Sequence, residues 1–192
     1  MNRQEAKQET RKKILTVALR EFTDHGYQGA NTARIAKEAG VAHGTIFLHF
    51  SDKDQLLFEV IRSRLVIISN RLYEAVHHSK DIATLCRIHL DYLNEEVAFE
   101  AMLARETPLL PMALQRQVFT IRCGIVGHFH QAISQGIENG TIRKVNPTVA
   151  LHVWFGTLNY YLANQHLFAS PGEIIREKGE ALLDYFLTTI RR

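Results

Sequence analysis

Between Gly40 and Lys53 the chain reads GVAHGTIFLHFSDK, a run whose residue types suit contact with a nucleic acid. A short helix over His43–His49 would bury Ile46 and Phe50 on one side. Its other side would then present His43, Gly44, Thr45, Leu48 and His49. These residues are short or polar, and none is a carboxylate that would repel phosphate. Histidine and threonine can exchange hydrogen bonds with base edges, while Leu48 or the Thr45 methyl can meet a thymine methyl. Lys53 falls in the first turn of the next helix, where the helix dipole disfavours a cation. An anion nearby would account for it, and the free amides at that helix start would hold the same phosphate. The plainer alternative is a helical corner whose exposed residues happen to be polar.

Other chemistries find less support. Ten histidines raise the question of a metal, but the adjacent His77 and His78 would point about 100° apart on a helix, and His128 and His130 about 200° apart. Neither pair makes a ligand couple, and there is no HExxH run. Cys86 and Cys123 form no CxxC pair, so no metal site or disulfide framework is expected and a reducing compartment fits. No nucleophile with a base at a useful spacing emerges, which argues against a helical enzyme.

The elements that would position His43–His49 are helical. Ile14, Ala18 and Phe22 recur at helical spacing, giving an amphipathic helix over Gln4–His25 that Gly26 stops. Asn31 or Thr32 can cap a short helix, Ala33–Ala39, ended by Gly40. Two short helices joined at Gly40–Val41 have helix-turn-helix proportions. Ser51, with Asp54 three residues on, reads as a capping box for a long helix reaching about Val76. Its apolar stripe is Leu56, Leu57, Val60, Ile61, Leu65 and Ile68.

Helical periodicity continues over about Ile82–Val97, near Glu100–Glu106, and over Ala113–Asn139 after Pro108 and Pro111. Asn146-Pro147 starts a helix at Thr148–Leu167, and Pro171-Gly172 precedes a last one at Glu173–Ile190. The fold class is all-α with about nine helices. Residues 1–52 would form the helix-turn-helix domain, and 53–192 a larger helical domain.

The totals agree with this class. The 192 residues are 46% hydrophobic and 22% charged, enough to bury a core without staples. The formal charge is only +3, but residues 1–71 hold 12 Lys/Arg against 8 Asp/Glu, while the rest hold 11 against 12. Positive charge gathers at the end expected to meet phosphate. The polar start predicts no secretory signal, and Val149–Ala163, the most apolar long stretch, is too short to span a bilayer. A soluble, cytoplasmic protein is expected, with no membrane partner and no cofactor.

The run TRKKILTVALREFTDHGYQGANTARIAKEAGVAHGTIFLHFSDKDQLLFEVI resembles the DNA-binding domain of the tetracycline-repressor (TetR) family. The residues that carry the likeness are Ala18, Phe22, Gly26-Tyr27, Thr32, Ile35-Ala36, Ala39-Gly40-Val41, Gly44-Thr45, His49-Phe50, Lys53 and Leu56-Leu57. They cover the first third of the chain, and GTIRKVNP at Gly140–Pro147 looks like a common family junction. The resemblance implies a sequence-specific transcriptional regulator, by the family's usual mode a repressor released from its operator by a small molecule. A ligand-independent regulator or an activator with the same helix-turn-helix is the alternative. Implied DNA contacts are Thr32, Ala33, His43, Gly44, Thr45, Phe47, Leu48, His49 and Lys53. The chain departs from the family in three places. Phe47 lacks the hydroxyl of the usual tyrosine, Ala42 loses a serine's cap, and Asn31 replaces a common threonine.

The resemblance also implies that the last two helices pair with their copies in a homodimer that reads a palindromic operator. Phe155, Leu158, Tyr161, Leu162, Leu182, Leu183, Phe186 and Ile190 are the candidate interface residues; the alternative is that these stripes fill the subunit's own core. Aromatic and polar residues mixed along the central helices, namely Tyr92, Phe99, Phe119, Arg122, Phe129, Trp154 and Tyr160, are candidates to line an effector cavity. The alternative, and the commoner role for each such residue, is plain core.

Overall fold

The computed structural model describes residues 2–78 and 81–192, apart from the side chains of His77 and His78. Among the described residues there are ten α-helices, one short 3-10 turn and no strand. The all-α expectation holds. The helix beyond the expected nine is a four-residue turn, Gln165–Phe168.

Helix α1 (Arg3–Gly29) buries Ile14, Val17, Ala18, Glu21 and Phe22, positions three and four apart on one face. Gly26, at φ 67° and ψ 179°, breaks the helix without ending it, and one further turn runs to Gly29. Helix α2 (Thr32–Ala39) is capped by Asn31, whose side chain accepts from Ala33 and Arg34 amides. Its end is set by Gly40 in the left-handed conformation, φ 69°, which few residues other than glycine adopt readily. Helix α3 (His43–His49) follows with no side-chain cap at Ala42.

Helix α4 (Lys53–His78) is capped by Asp52, not Ser51. Asp52 accepts from the Gln55 amide at 2.7 Å, and the Ser51 hydroxyl donates to Asp52. The cap moves because an aspartate one residue on reaches the third amide of a helix that starts at Lys53. The stripe read in the sequence, Leu56 to Ile68, is buried and extends to Leu72.

Beyond α4 come α5 (Ile82–Glu95), α6 (Val97–Glu106), α7 (Met112–Glu138), α8 (Pro147–Ala163), α9 (Gln165–Phe168) and α10 (Ile174–Ile190). Asp81 caps α5 and Asn146 caps α8, with Pro147 at the first helical position as its fixed φ favours.

The chain divides into two compact units. One comprises residues up to Arg64 together with Glu106–Val118; the other comprises Leu65–Arg105 and Phe119–Arg192. Whereas the sequence suggests a boundary at 52, between α3 and α4, these units divide inside α4. The core of the second unit lies among α5, α7, α8 and α10. Gly179 of α10 sits close enough to α5 that a Cβ there would touch Leu90, and Trp154 and Phe186 stack at 5.1 Å.

Candidate functional site

In the first unit, α3 is anchored by Ile46, fully buried, and Phe50, 2% exposed. Arg11 of α1 lies over the Phe50 ring at 4.9 Å and pairs with Glu59 at 2.5 Å, which Arg62 also meets. The opposite face shows His43, Gly44, Phe47 and Leu48 exposed, with Thr45 and His49 half-buried. Leu48 is 78% exposed. No carboxylate interrupts this face. His43 Nε2 lies 2.9 Å from Thr32 Oγ1, and its ring meets the edge of Phe47 at 5.3 Å. Thr32, His43 and Phe47 thus adjoin, with Ala33 exposed beside Thr32.

The groups that position this head are less visible in the sequence. Glu21, 5% exposed on α1, accepts from the Asn31 amide at 2.8 Å and from Arg34 Nε at 2.9 Å, tying α1 to the start of α2. A carboxylate inside an apolar helical stripe, one residue before Phe22, was the available signal. Tyr27 donates its hydroxyl to Asp54 and its amide to Glu106, the latter at 2.5 Å. Burial first, then the Asp54 carboxylate, pushes the Tyr27 phenol up to about 12.

Lys53 is half-exposed. Its Nζ stands 4.8 Å over the Tyr27 ring and donates to the Gln28 carbonyl at 3.4 Å. An aromatic face and a carbonyl therefore already offset its place against the helix dipole, and an anion is not needed to explain it. His49 is held below the ordinary histidine range by burial, then by the charges of Lys7 and Arg11.

The second unit encloses a cavity of about 290 Å³. Of the seven residues proposed to line it, Tyr92, Phe119 and Arg122 do so. The other four are absent from its wall. Phe99, Phe129 and Trp154 are buried core, and Tyr160 is 56% exposed and stacks on Tyr161 and Phe168 instead. Phe155, Leu158 and Leu162, read in the sequence as interface residues, line the cavity.

Of the interface set, Leu158, Leu162, Leu183, Phe186 and Ile190 are at most 2% exposed and fill the chain's own core. Phe155, Tyr161 and Leu182 are half-buried. The apolar side chains that α8 and α10 leave exposed are Val149, Val153, Tyr160 and Tyr185. Periodicity finds an apolar stripe, but not which side of a helix wrapped by neighbours on several faces remains open.

Sequence reasoning missed the apolar wall of Leu65, Ile68, Leu93, Ile125, Val126 and Leu151, and two buried polar residues beside it. Glu100, 4% exposed, accepts from the Tyr92 hydroxyl at 2.9 Å and from Arg122 at 3.3 Å. His89, 8% exposed, accepts the Trp154 indole N–H at 3.2 Å. Among the described residues no three His, Cys, Asp or Glu side chains gather as a metal site, and Cys86 and Cys123 are unpaired. His77 and His78 lie outside the described side chains. No described helix is long and apolar enough to cross a membrane.

Residues 14–60 match the family model described as bacterial regulatory proteins, tetR family. Over 151 residues the chain is 23% identical to the fatty acid metabolism regulator protein of Bacillus subtilis, covering 76% of this chain and 78% of that one. Over 58 residues, 30% of this chain and 26% of the other, it is 50% identical to the transcriptional regulator AcrR of Shigella flexneri. In fold it is similar to the Bacillus subtilis regulator FadR solved with stearoyl-CoA, at a TM-score of 0.81 and 20% identity, covering 93% of this chain and 98% of that one. A tetR-family regulator from Agrobacterium tumefaciens superposes at 0.79 with 18% identity over 97% of this chain and all of the other.

Proposed function

For a chain whose residues 14–60 match the model of the tetR family of bacterial regulatory proteins, we propose a homodimeric repressor of that family that reads a palindromic DNA operator and leaves it when a small molecule binds. One observation carries the reading. The exposed face of α3 offers His43, Gly44, Thr45, Leu48 and His49 without a carboxylate, while Ile46 and Phe50 lock the helix from behind. Such a helix can enter the major groove and read base edges directly. His43 and Thr45 are the base readers in this reading. Thr32, Ala33, Phe47 and Lys53 lie along the phosphate path.

Two reading heads are required for a palindrome, set about one helical turn or a multiple apart. The exposed Val149, Val153 and Tyr160 of α8, with Tyr185 of α10, are the side chains we assign to the dimer contact. The effector occupies the cavity of the second unit, and it acts by binding one of two conformations more tightly than the other. Its apolar wall suits a ligand with a hydrocarbon body, as the stearoyl-CoA of the Bacillus subtilis regulator has. The protein works in the cytoplasm, without cofactor and without catalysis.

The test selects binding sites from random DNA with the purified chain and measures affinity for the recovered site. His43→Ala with Thr45→Ala should abolish the preference for that site over unrelated DNA. A selection that recovers no sequence, or a double variant that keeps the preference, defeats the reading.

A further inference from the structure

The imidazole of His89 is a wall group of the cavity that the function proposed above leaves unassigned. Its Nδ1 receives the indole N–H of Trp154 at 3.2 Å. An indole nitrogen only donates, so Nδ1 must be the accepting nitrogen. In the neutral ring the proton then resides on Nε2. Phe129, Trp154 and Phe155 surround the ring at centroid distances of 5.8, 6.2 and 5.0 Å and fix its orientation. Burial, then the charge of Arg122, keeps the imidazole neutral by lowering it to about 3.

Nε2–H has no acceptor among the described residues, yet it is not a sealed atom, because Gln135 Oε1 is the sole sealed side-chain atom lacking a partner there. In a residue 8% exposed that lines the cavity, Nε2 is the nitrogen left to face it. The rest of the wall sets the charge of what can enter. Glu100 and Arg122 are the carboxylate and the guanidinium of the described wall, and they pair with each other. Leu65, Ile68, Leu93, Ile125 and Leu151 make apolar wall, while the exposed His130 and His152, with Thr148 and Asn159, add polar groups. At about 290 Å³ the space is close to twice the roughly 150 Å³ that encloses benzene in an engineered apolar cavity.

We infer that this cavity selects uncharged, largely apolar ligands bearing a carbonyl oxygen, which accepts from His89 Nε2. The inference rests on the cavity being the effector site and names the ligand class for it. Trp154 is a positioning residue here, since its N–H decides which imidazole nitrogen carries the proton.

Calorimetric titration of the full chain with three probes at pH 7.5 tests this: butyrophenone, butylbenzene and 4-phenylbutyrate. The ketone should bind more tightly than the carboxylate. In His89→Phe its affinity should fall about three- to tenfold, the worth of one neutral hydrogen bond, while butylbenzene stays within twofold. His89→Gln should keep most of the ketone affinity, because its amide can accept from Trp154 and donate to the cavity. The assignment is overturned by an unaltered ketone affinity in His89→Phe, by tighter binding of the carboxylate, or by failure of the ketone to bind. If His89→Phe does not fold, the His89→Gln titration and the probe ranking in the unaltered chain still decide. A ketone that binds yet leaves the DNA complex intact would overturn the effector reading while His89 keeps its role. Release of DNA by a ligand that does not compete with bound ketone would place the effector outside this cavity and overturn the inference, while the ligand-released repressor stands.

Discussion

Thr32 Oγ1 and His43 Nε2 meet at 2.9 Å, joining the first residue of α2 to the first residue of α3. Both are read as DNA contacts, so in the DNA-free chain each partly satisfies the other. The bond holds the His43 ring at the entrance of the reading face, with Phe47 against it. Thr32→Val and His43→Ala should each weaken specific binding. Because they share one interaction, the double variant should lose about 1 kcal/mol less than the sum of the singles. Fluorescence anisotropy on the selected site measures the cycle, and strict additivity would show that the two act separately.

Phe47 is 45% exposed beside His43 and has no hydroxyl to offer a phosphate. Phe47→Tyr should raise affinity about three- to tenfold for specific and unrelated DNA alike, since a phosphate contact carries no sequence information. A gain confined to the specific site would place the hydroxyl on a base instead.

Lys53 is held by the Tyr27 ring and the Gln28 carbonyl, which leaves its charge partly open to solvent. If that charge also meets phosphate, Lys53→Ala should reduce the slope of log affinity against log salt by roughly one unit. An unaltered slope would confine Lys53 to its structural role beside Tyr27.

At the kink of α1, Gly26 adopts φ 67°, and a Cβ there would run into the Glu106 carboxylate that receives the Tyr27 amide. Gly26→Ala therefore combines backbone strain with a collision and should cost about 1–3 kcal/mol. Thermal unfolding should show a fall of roughly 2–10 °C. Gly44→Ala, with open space around its Cβ inside α3, is the control and should hold or slightly raise the midpoint. Equal midpoints for the two variants would count against strain at the kink.

Acid should destabilise the fold through His89. Its folded value is about 3 against an ordinary 6.5, so below pH 6.5 the unfolded chain binds a proton that the folded chain refuses. Stability is full above that pH and declines as pH falls towards 3. The loss is about 2 kcal/mol by pH 5. His49, also held low, acts in the same direction. Urea unfolding at pH 7.5, 6 and 5 should show the decline, and His89→Gln should flatten it by close to one proton. A variant with the original slope would move the effect elsewhere.

The first three helices and the start of α8 were legible in the chain because their determinants are local. Asn31, Gly40 and Pro147 act on amides and torsions within a few residues of themselves, and the stripe of α4 follows from a period of 3.6. Even there, the cap of α4 moved one residue, since Asp52 takes the Gln55 amide while the Ser51 hydroxyl donates to Asp52. What the sequence could not determine were relationships across long separations. His89 owes its tautomer to Trp154, 65 residues away, and Glu100 its neutralisation to Arg122, 22 residues away. Likewise Glu106 secures the α1 kink from 79 residues on. Burial of Leu158, Leu162, Leu183 and Phe186 in the chain's own core, and exposure of Val153 and Tyr185, depend on which neighbours cover each helix face. An apolar stripe specifies that a face is covered; only tertiary packing decides whether by this chain, by a ligand or by a second copy.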